Sequence, residues 1–570
     1  MFLSARVSLK SFCSRLASRF AQIGPLFKAV IPRGPRNAQQ ILTSQGYRVK
    51  PRNRTAVHAT CQRLMSPGSV ATRTNRKKPI FPGVSRKVLP VHRWLGITLG
   101  LLFALWFASG IILSFVPFPT LATRDRISGS EAIDLEKVRF SPAAALADAR
   151  APAGAEPVMH LRLISVAGDP RYVFSPVGRP VLSVSAETGE ALVPVSVDVA
   201  RTVAEQFSAE KISRIDGPFE YDQWTVHERY GPYRPFYKIS MADAAGTCLY
   251  VSLRSGEVVQ RTRRVERAWN WVGAVVHWIN PTLLRKHQAA WRWTVWSVAL
   301  LGILLTVAGI WLGVVRYVDF KRLRRPGISP FTGWLRWHHS IGLFAAAFVL
   351  TWITSGWLTV DRGTLFSRDE PTMAQVERLR GLSLTEAAGA FPVLQLRKLH
   401  HPREIEVTAV GGHPLLVVRD AGELSSQLVS ANDAGTLDTS RVIPDGLLLS
   451  AVQSGWSTVG VLGIQAIAEN DAYRVRSNPL PDTARRIVLN DRTHTWIQID
   501  AASGQILSVT DASRRLYRWL VDGLHCFDYP LFNHAEPLRH ALILLAAATG
   551  LLFCSTGVAI GLKRLRRSLS

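Results

Sequence analysis

His92-Arg-Trp-Leu-Gly96, running on to Trp106 and Ser109-Gly110, returns as His338-His-Ser-Ile-Gly342, running on to Trp352 and Ser355-Gly356. Four landmarks (histidine, glycine, tryptophan and a Ser-Gly pair) coincide at one offset of 246 residues. Each copy enters an apolar segment, residues 97–117 and 341–360. Both are long enough to cross a hydrocarbon layer of about 30 Å as a helix rising about 1.5 Å per residue. Positions 92, 96, 99, 103, 106, 110 and 338, 342, 345, 349, 352, 356 step by four and three, so the histidine, glycines and tryptophan share one helical face. An imidazole one turn from a missing side chain leaves room for something flat and large, and a membrane histidine is costly enough to be a functional candidate. The bland alternative puts His92 and His338 at helix ends, where a polar tip costs little. Duplication at one depth favours a ligand.

The chain has 570 residues, is 47% hydrophobic and has a mean hydropathy of +0.10, which makes it a membrane protein with room for several domains. Its net charge of +28 is confined to short stretches. Residues 1–93 carry 19 Lys/Arg and no acid, 316–336 carry six bases against Asp319, and Lys563-Arg-Leu-Arg-Arg567 carries four, which accounts for the whole excess. Bases beside apolar helices follow the positive-inside rule, placing both termini and the 316–336 loop in the cytoplasm and removing any need for nucleic-acid binding. The five cysteines, Cys13, Cys61, Cys248, Cys526 and Cys554, form no CxxC or CxxCH, so covalent c-type haem and zinc ribbons are unsupported; they read as small buried or free thiols.

Residues 1–90 read as a basic, disordered cytoplasmic extension, or as an over-long start with Met65 the true initiator. Four membrane helices are expected at 91–117, 289–316, 337–360 and 537–562, with a basic cytoplasmic loop at 317–336 and a cytoplasmic tail at 563–570. Helix two has Gly302, Thr306, Gly309 and Gly313 on one stripe, a face that lets membrane helices approach closely. Between the helices, 118–288 and 361–536 hold short strand-like runs separated by turns and read as two external α+β domains. At an offset of 248, Ser255-Gly256 matches Ser503-Gly504, Trp271 matches Trp519, His277 matches His525, and Gly302, Gly309 and Gly313 match Gly550, Gly557 and Gly561. The expected fold is thus an α-helical integral membrane protein with four transmembrane helices and an internal duplication of helix, domain, helix, as a parallel repeat about the membrane normal.

This topology puts His92 and His338 at the cytoplasmic face and His277 and His525, in aromatic stretches ahead of helices two and four, at the external face. His339, His287, His534 and His540 lie nearby. His540 shares a stripe with Gly550, Cys554, Gly557 and Gly561, and Arg292 holds the corresponding place in helix two; a histidine facing an arginine suits a porphyrin with an anionic propionate. His287 and His534 read as solvated loop residues. Neutral imidazoles from facing bundle helices ligate haem iron axially, and glycines beside them admit the macrocycle, so the reading is haem b, two copies, one at each face. Zinc is the rival, but it wants three or four clustered ligands. Trp106 and Trp352 either pack on the cofactors or serve ordinary helix and lipid contact. With no GxGxxG, P-loop or Gly-x-Ser-x-Gly, the chain has no nicotinamide or flavin domain of its own, and electrons must come from quinol or a separate cytoplasmic reductase.

The His-x-x-x-Gly…Trp-x-x-Ser-Gly helices, the runs Tyr-Val-Ser-Leu-Arg-Ser-Gly-Glu-Val-Val (250–259) and Trp-Ile-Gln-Ile-Asp-Ala-Ala-Ser-Gly-Gln-Ile-Leu (496–507) and the four-helix layout resemble PepSY-associated transmembrane proteins over about residues 85–565. The resemblance implies that the two external domains are PepSY-like and periplasmic, that the location is a bacterial inner membrane, and that the activity is haem-dependent reduction of a ferric siderophore. The competing class is a non-enzymatic module whose PepSY-like domains bind or restrain another periplasmic protein.

Overall fold

A computed structural model of the chain describes residues 82–570 apart from 154–156, 193, 325, 362–364, 421–425, 432–436, 478 and 533–534. The expectations for residues 1–81, including Met65, Cys13 and Cys61, and for His534 lie outside the described residues. Four helices are long and apolar enough to span a membrane: α1 (Pro82–Leu113), α2 (Gln288–Arg322), α3 (Gly333–Leu358) and α4 (Glu536–Leu569). They carry large apolar side chains facing outward, Leu101 at 61% and Phe344 at 75% exposure, a surface suited to lipid. The chain is a multi-pass membrane protein.

These helices depart from the apolar segments that mark them. α2 and α4 run on into their basic stretches, because Lys, Arg and Leu are good helix formers and bases suit a helix C-terminus. α1 stops at Leu113, ahead of Pro117 and Pro119, which cannot continue it. The glycine stripe of α2 is where the helices close in. Gly302 faces Phe103 and Gly309 faces His92, both on α1, while Gly313 meets Leu343 and accepts a 3.0 Å hydrogen bond from His339 Nε2, both on α3.

The remaining chain builds three antiparallel sheets on one side of the bundle. Strands β4 (Ile212–Phe219), β5 (Phe236–Met241), β6 (Cys248–Ser252) and β7 (Val258–Thr262) form one four-stranded sheet in chain order, with the helix Val197–Phe207 burying Ala200 and Ala204 against Ile239 and Leu249. Strands β12 (Val461–Ala466), β13 (Ala484–Leu489), β14 (Trp496–Asp500) and β15 (Ile506–Thr510) form a second, covered by the helix Asp445–Gly455 through Leu448, Ala451 and Val452. The covering helix and the last three strands of the second sheet each start 248 residues after their counterparts in the first.

The third sheet shows that the two soluble segments are not separate. Strands β1 (Val158–Val166), β2 (Asp169–Pro176) and β3 (Leu182–Ser185) come from the first segment, and β8 (Glu404–Val410), β9 (His413–Arg419), β10 (Gln427–Ala431) and β11 (Leu437–Ser440) from the second. They join as β11-β10-β9-β8-β1-β2-β3, with Leu161 opposite Val407 and Ile164 opposite Glu404. Pairing β1 with β8 removes an exposed strand edge from each half.

The seam carries buried charge, which hydropathy alone does not reveal. Glu404, 1% exposed, accepts from Arg126 (2.7 Å), Arg162 (2.8 Å) and Arg419 (2.7 Å); Arg162 also reaches Glu257 (2.7 Å), and Glu406 is bonded by Arg419 (3.0 Å) and His160 (2.8 Å). Burial pushes these carboxyls up, but the His160 bond and the Arg419 charge more than offset it for Glu406, held at about 2. The arginines hold Glu404 lower still. Because the folded values are depressed, the contribution is present above the ordinary carboxylate value of 4.5 and is lost as pH falls through the folded one. The thermal midpoint in detergent should therefore be level near neutral pH and fall steadily below about pH 4.

Candidate functional site

Two pairs of histidines face each other. His92 of α1 and His338 of α3 have ring centroids 6.4 Å apart, tilted by 47°. His277 closes the short helix Ala274–His277 ahead of α2, and His525 sits in Leu524–Cys526 ahead of α4; their centroids are 6.2 Å apart at 52°. Both segments tuck into the bundle mouth against α1 and α3.

One construction holds all four rings. Each imidazole lies on a helical glycine: an added Cβ would stand 2.8 Å from His92 Cε1 at Gly309, 3.3 Å from His338 at Gly557, 3.2 Å from His277 at Gly110 and 3.1 Å from His525 at Gly356. Each Nδ1 is then bonded to the helix that supplies the glycine. His92 Nδ1 donates to Leu305 O (3.1 Å), His277 to Trp106 O (3.1 Å) and His525 to Trp352 O (3.3 Å). His338 Nδ1 donates to Thr556 Oγ1 (3.0 Å), whose own proton goes to Phe553 O (2.6 Å). A carbonyl only accepts, so the proton sits on Nδ1 and the lone pair on Nε2. Among the described residues none of the four Nε2 atoms makes a hydrogen bond. A metal-binding imidazole needs this arrangement, with its second nitrogen donating to a fixed carbonyl.

The duplicated landmarks acquire a function, though not the one their helical face suggests. The Trp-x-x-Ser-Gly run serves a histidine from elsewhere: Trp106 lends its carbonyl, Ser109 Oγ approaches His277 Nδ1 at 3.3 Å, and Gly110 supports the ring. Trp352, Ser355 and Gly356 do the same for His525. The expected open space one turn from His338 is corrected. Phe553 fills it, with an added Cβ on Gly342 only 2.9 Å from the ring, and stacks on His338 at 4.7 Å and 13°.

Three other sequence candidates lie apart from the pairs. His339 spends Nε2 on Gly313 O and packs edge-on to Phe331. His540 lies against Phe115 (5.4 Å) and Arg539, with Glu536 at 3.4 Å. Arg292, largely exposed, reaches Glu228 at 3.6 Å. Arg292 and His540 thus have different partners in the structure. His287 is exposed ahead of α2, and Cys248, Cys526 and Cys554 are free thiols. Among the described residues no three His, Cys, Asp or Glu side chains converge as a metal-ion site, so the ligand set zinc needs is not assembled there.

Around His277 and His525 opens a cavity of about 640 Å³, within the usual range for a ligand pocket of about 300–1,000 Å³. Phe103, Trp106, Phe107 and Trp352 line it, and the indole Nε1 atoms of Trp106 and Trp352 are buried without a hydrogen-bond partner among the described residues. One wing is formed by His227, Trp278, Asn280 and Trp291, the other by Tyr517, Asp522, Cys526 and Arg539. Burial, with Arg285, Arg229 and Arg234 adding to it, holds His227 down at about 4, so it is neutral near pH 7. Burial pushes Asp522 up to about 6. Sequence reading missed His227 and Asn280 because loops deliver them, and loops carry no periodicity; Tyr517, Asp522 and Arg539 sit on helical turns, whose periodicity does not say which neighbour they face.

A family model described as PepSY-associated TM region matches residues 89–435. No curated protein matches the chain.

Proposed function

The chain belongs to the PepSY-associated TM family, and from that premise we propose that it is an inner-membrane haem-b electron-transfer protein that reduces a ferric siderophore in the periplasm. The observation that carries the reading is the spacing of the histidine pairs. An imidazole nitrogen bonds a first-row metal at about 2.0–2.1 Å and lies about 1.1 Å from its ring centre, so two rings sharing one metal have centres about 6.2–6.4 Å apart. The pairs stand at 6.2 and 6.4 Å, with both Nε2 lone pairs free. Two ligands satisfy a haem iron, whose other four positions the macrocycle fills. His277 and His525 would hold one haem in the cavity, and His92 and His338 the other. When bound, the group supplies one-electron redox chemistry.

The chain's own residues fix three rings through carbonyls and His338 through the Thr556 hydroxyl, with a glycine beneath each, which keeps each tautomer fixed. The duplication reading has the same support. Leu161 and Val407, 246 residues apart, are cross-strand partners, as a two-fold axis through the β1–β8 ladder requires. The basic ends of α2 and α4 support an orientation with the termini in the cytoplasm and the soluble segments in the periplasm, in which the donor would be quinol or a cytoplasmic reductase.

Dithionite-reduced membranes containing the chain should show a b-haem spectrum that returns to the oxidised form on adding a ferric siderophore. A b-haem spectrum that the chelate leaves reduced would remove the acceptor assignment. The absence of any haem spectrum would leave the non-enzymatic PepSY module.

A further inference from the structure

The cavity around His277 and His525 is asymmetric, and its polar atoms lack partners on the His227–Asn280 wing. Asn280 is fully buried, yet neither Oδ1 nor Nδ2 has a hydrogen-bond partner among the described residues, and His227 Nε2 is likewise buried and unbonded. Both residues line the cavity. An unmade hydrogen bond at a buried amide is costly, so the Asn280 Nδ2 donor beside His227 Nε2 points to a ligand that accepts hydrogen bonds on this wall.

Charge indicates the ligand's sign. Arg285, Arg229 and Arg234 all act on His227, so this wing lies in a positive field. Arg285 is itself 7% exposed and stacks over Trp291, another lining residue, at 4.0 Å. The opposite wing is different: Asp522 lines it, with Asp528 and Glu536 close behind, and these face Arg518, Arg476 and Arg539 in ion pairs. The first wing thus has three arginines around His227 against Glu228, whereas on the second Arg539 is paired with Glu536 and Asp522 adds a further carboxyl, so the first wing is the more favourable to an anion. The asymmetry traces to the sequence, because the position 248 residues after Asn280 is Asp528, bonded to Arg476, and the one after His227 is Val475.

We infer that His227 and Asn280 form a carboxylate subsite, which takes the propionate edge of the porphyrin that His277 and His525 would hold. This rests on the haem reading above.

The test compares haem with its dimethyl ester, which has the same ring and iron but no carboxylates, titrated into the full-length chain prepared without haem. The native chain is expected to bind haem at least about tenfold more tightly than the ester at the domain-side site, a modest value for charge-assisted hydrogen bonds. In Asn280→Leu and in His227→Phe that ratio should fall toward one, with ester affinity unchanged. An acid-to-ester ratio of one in the native chain overturns the subsite while leaving the haem reading in place, and this arm needs no variant to fold. Equal loss of both porphyrins in the variants also overturns it, since the two residues would then be structural only. Failure of the native chain to bind either porphyrin removes the haem reading and this inference with it.

Discussion

Alanine at His277 or His525 is expected to remove the haem on the domain side, lowering the haem-to-protein ratio of the purified chain from two to one. Either substitution would remove one of the two imidazoles proposed to hold the haem and opens a hole beside Gly110 or Gly356, so loss of occupancy should outweigh a shifted potential. His92→Ala or His338→Ala should remove the other haem by the same argument. His287→Ala, which alters an exposed residue, should change nothing, and His540→Ala should leave both haems in place because that side chain is engaged with Phe115 and Arg539. Pyridine haemochrome against protein concentration reads all of these. Full occupancy in both His92→Ala and His338→Ala would reduce the duplicated stretch to an interfacial anchor.

The second large effect is on folding. Glu404→Ala is expected to destabilise the soluble region by about 3–5 kcal/mol, the usual cost of removing one partner from a buried ion pair. Arg126, Arg162 and Arg419 would be left around one another with less countercharge, and Arg162 is only 9% exposed. The loss falls on the β1–β8 seam, so it should loosen the two halves together. Denaturant unfolding in detergent, followed by tryptophan fluorescence, measures it. A change under about 1 kcal/mol would mean that the seam is held by its apolar strands alone.

Much of this architecture was legible in the sequence. Four helices follow from uninterrupted apolar runs, and the offsets of 246 and 248 brought into correspondence the histidines that face each other in the structure. Helical periodicity, however, reports only which residues share a face of one helix. It could not show that Gly110 and Ser109 serve His277, 167 and 168 residues further on, or that Phe553 occupies the space beside His338. It gave Arg292 and His540 corresponding places but not their partners, Glu228 for the first and Phe115 and Arg539 for the second. The shared sheet was hidden for a similar reason, since strand patterning gives the buried face of β1 and β8 but not the neighbour each edge will take. Asn280 and His227 gave no signal at all, because a buried amide without a partner exists only in three dimensions.

Haem content of the native chain decides whether the histidine pairs hold iron. Purified from cells supplied with iron, it should carry two b-type haems per polypeptide, both low-spin in the ferric state, as two imidazole ligands to each iron require. A chain that is folded and monodisperse yet carries no haem would contradict the assignment of the histidine pairs as haem ligands.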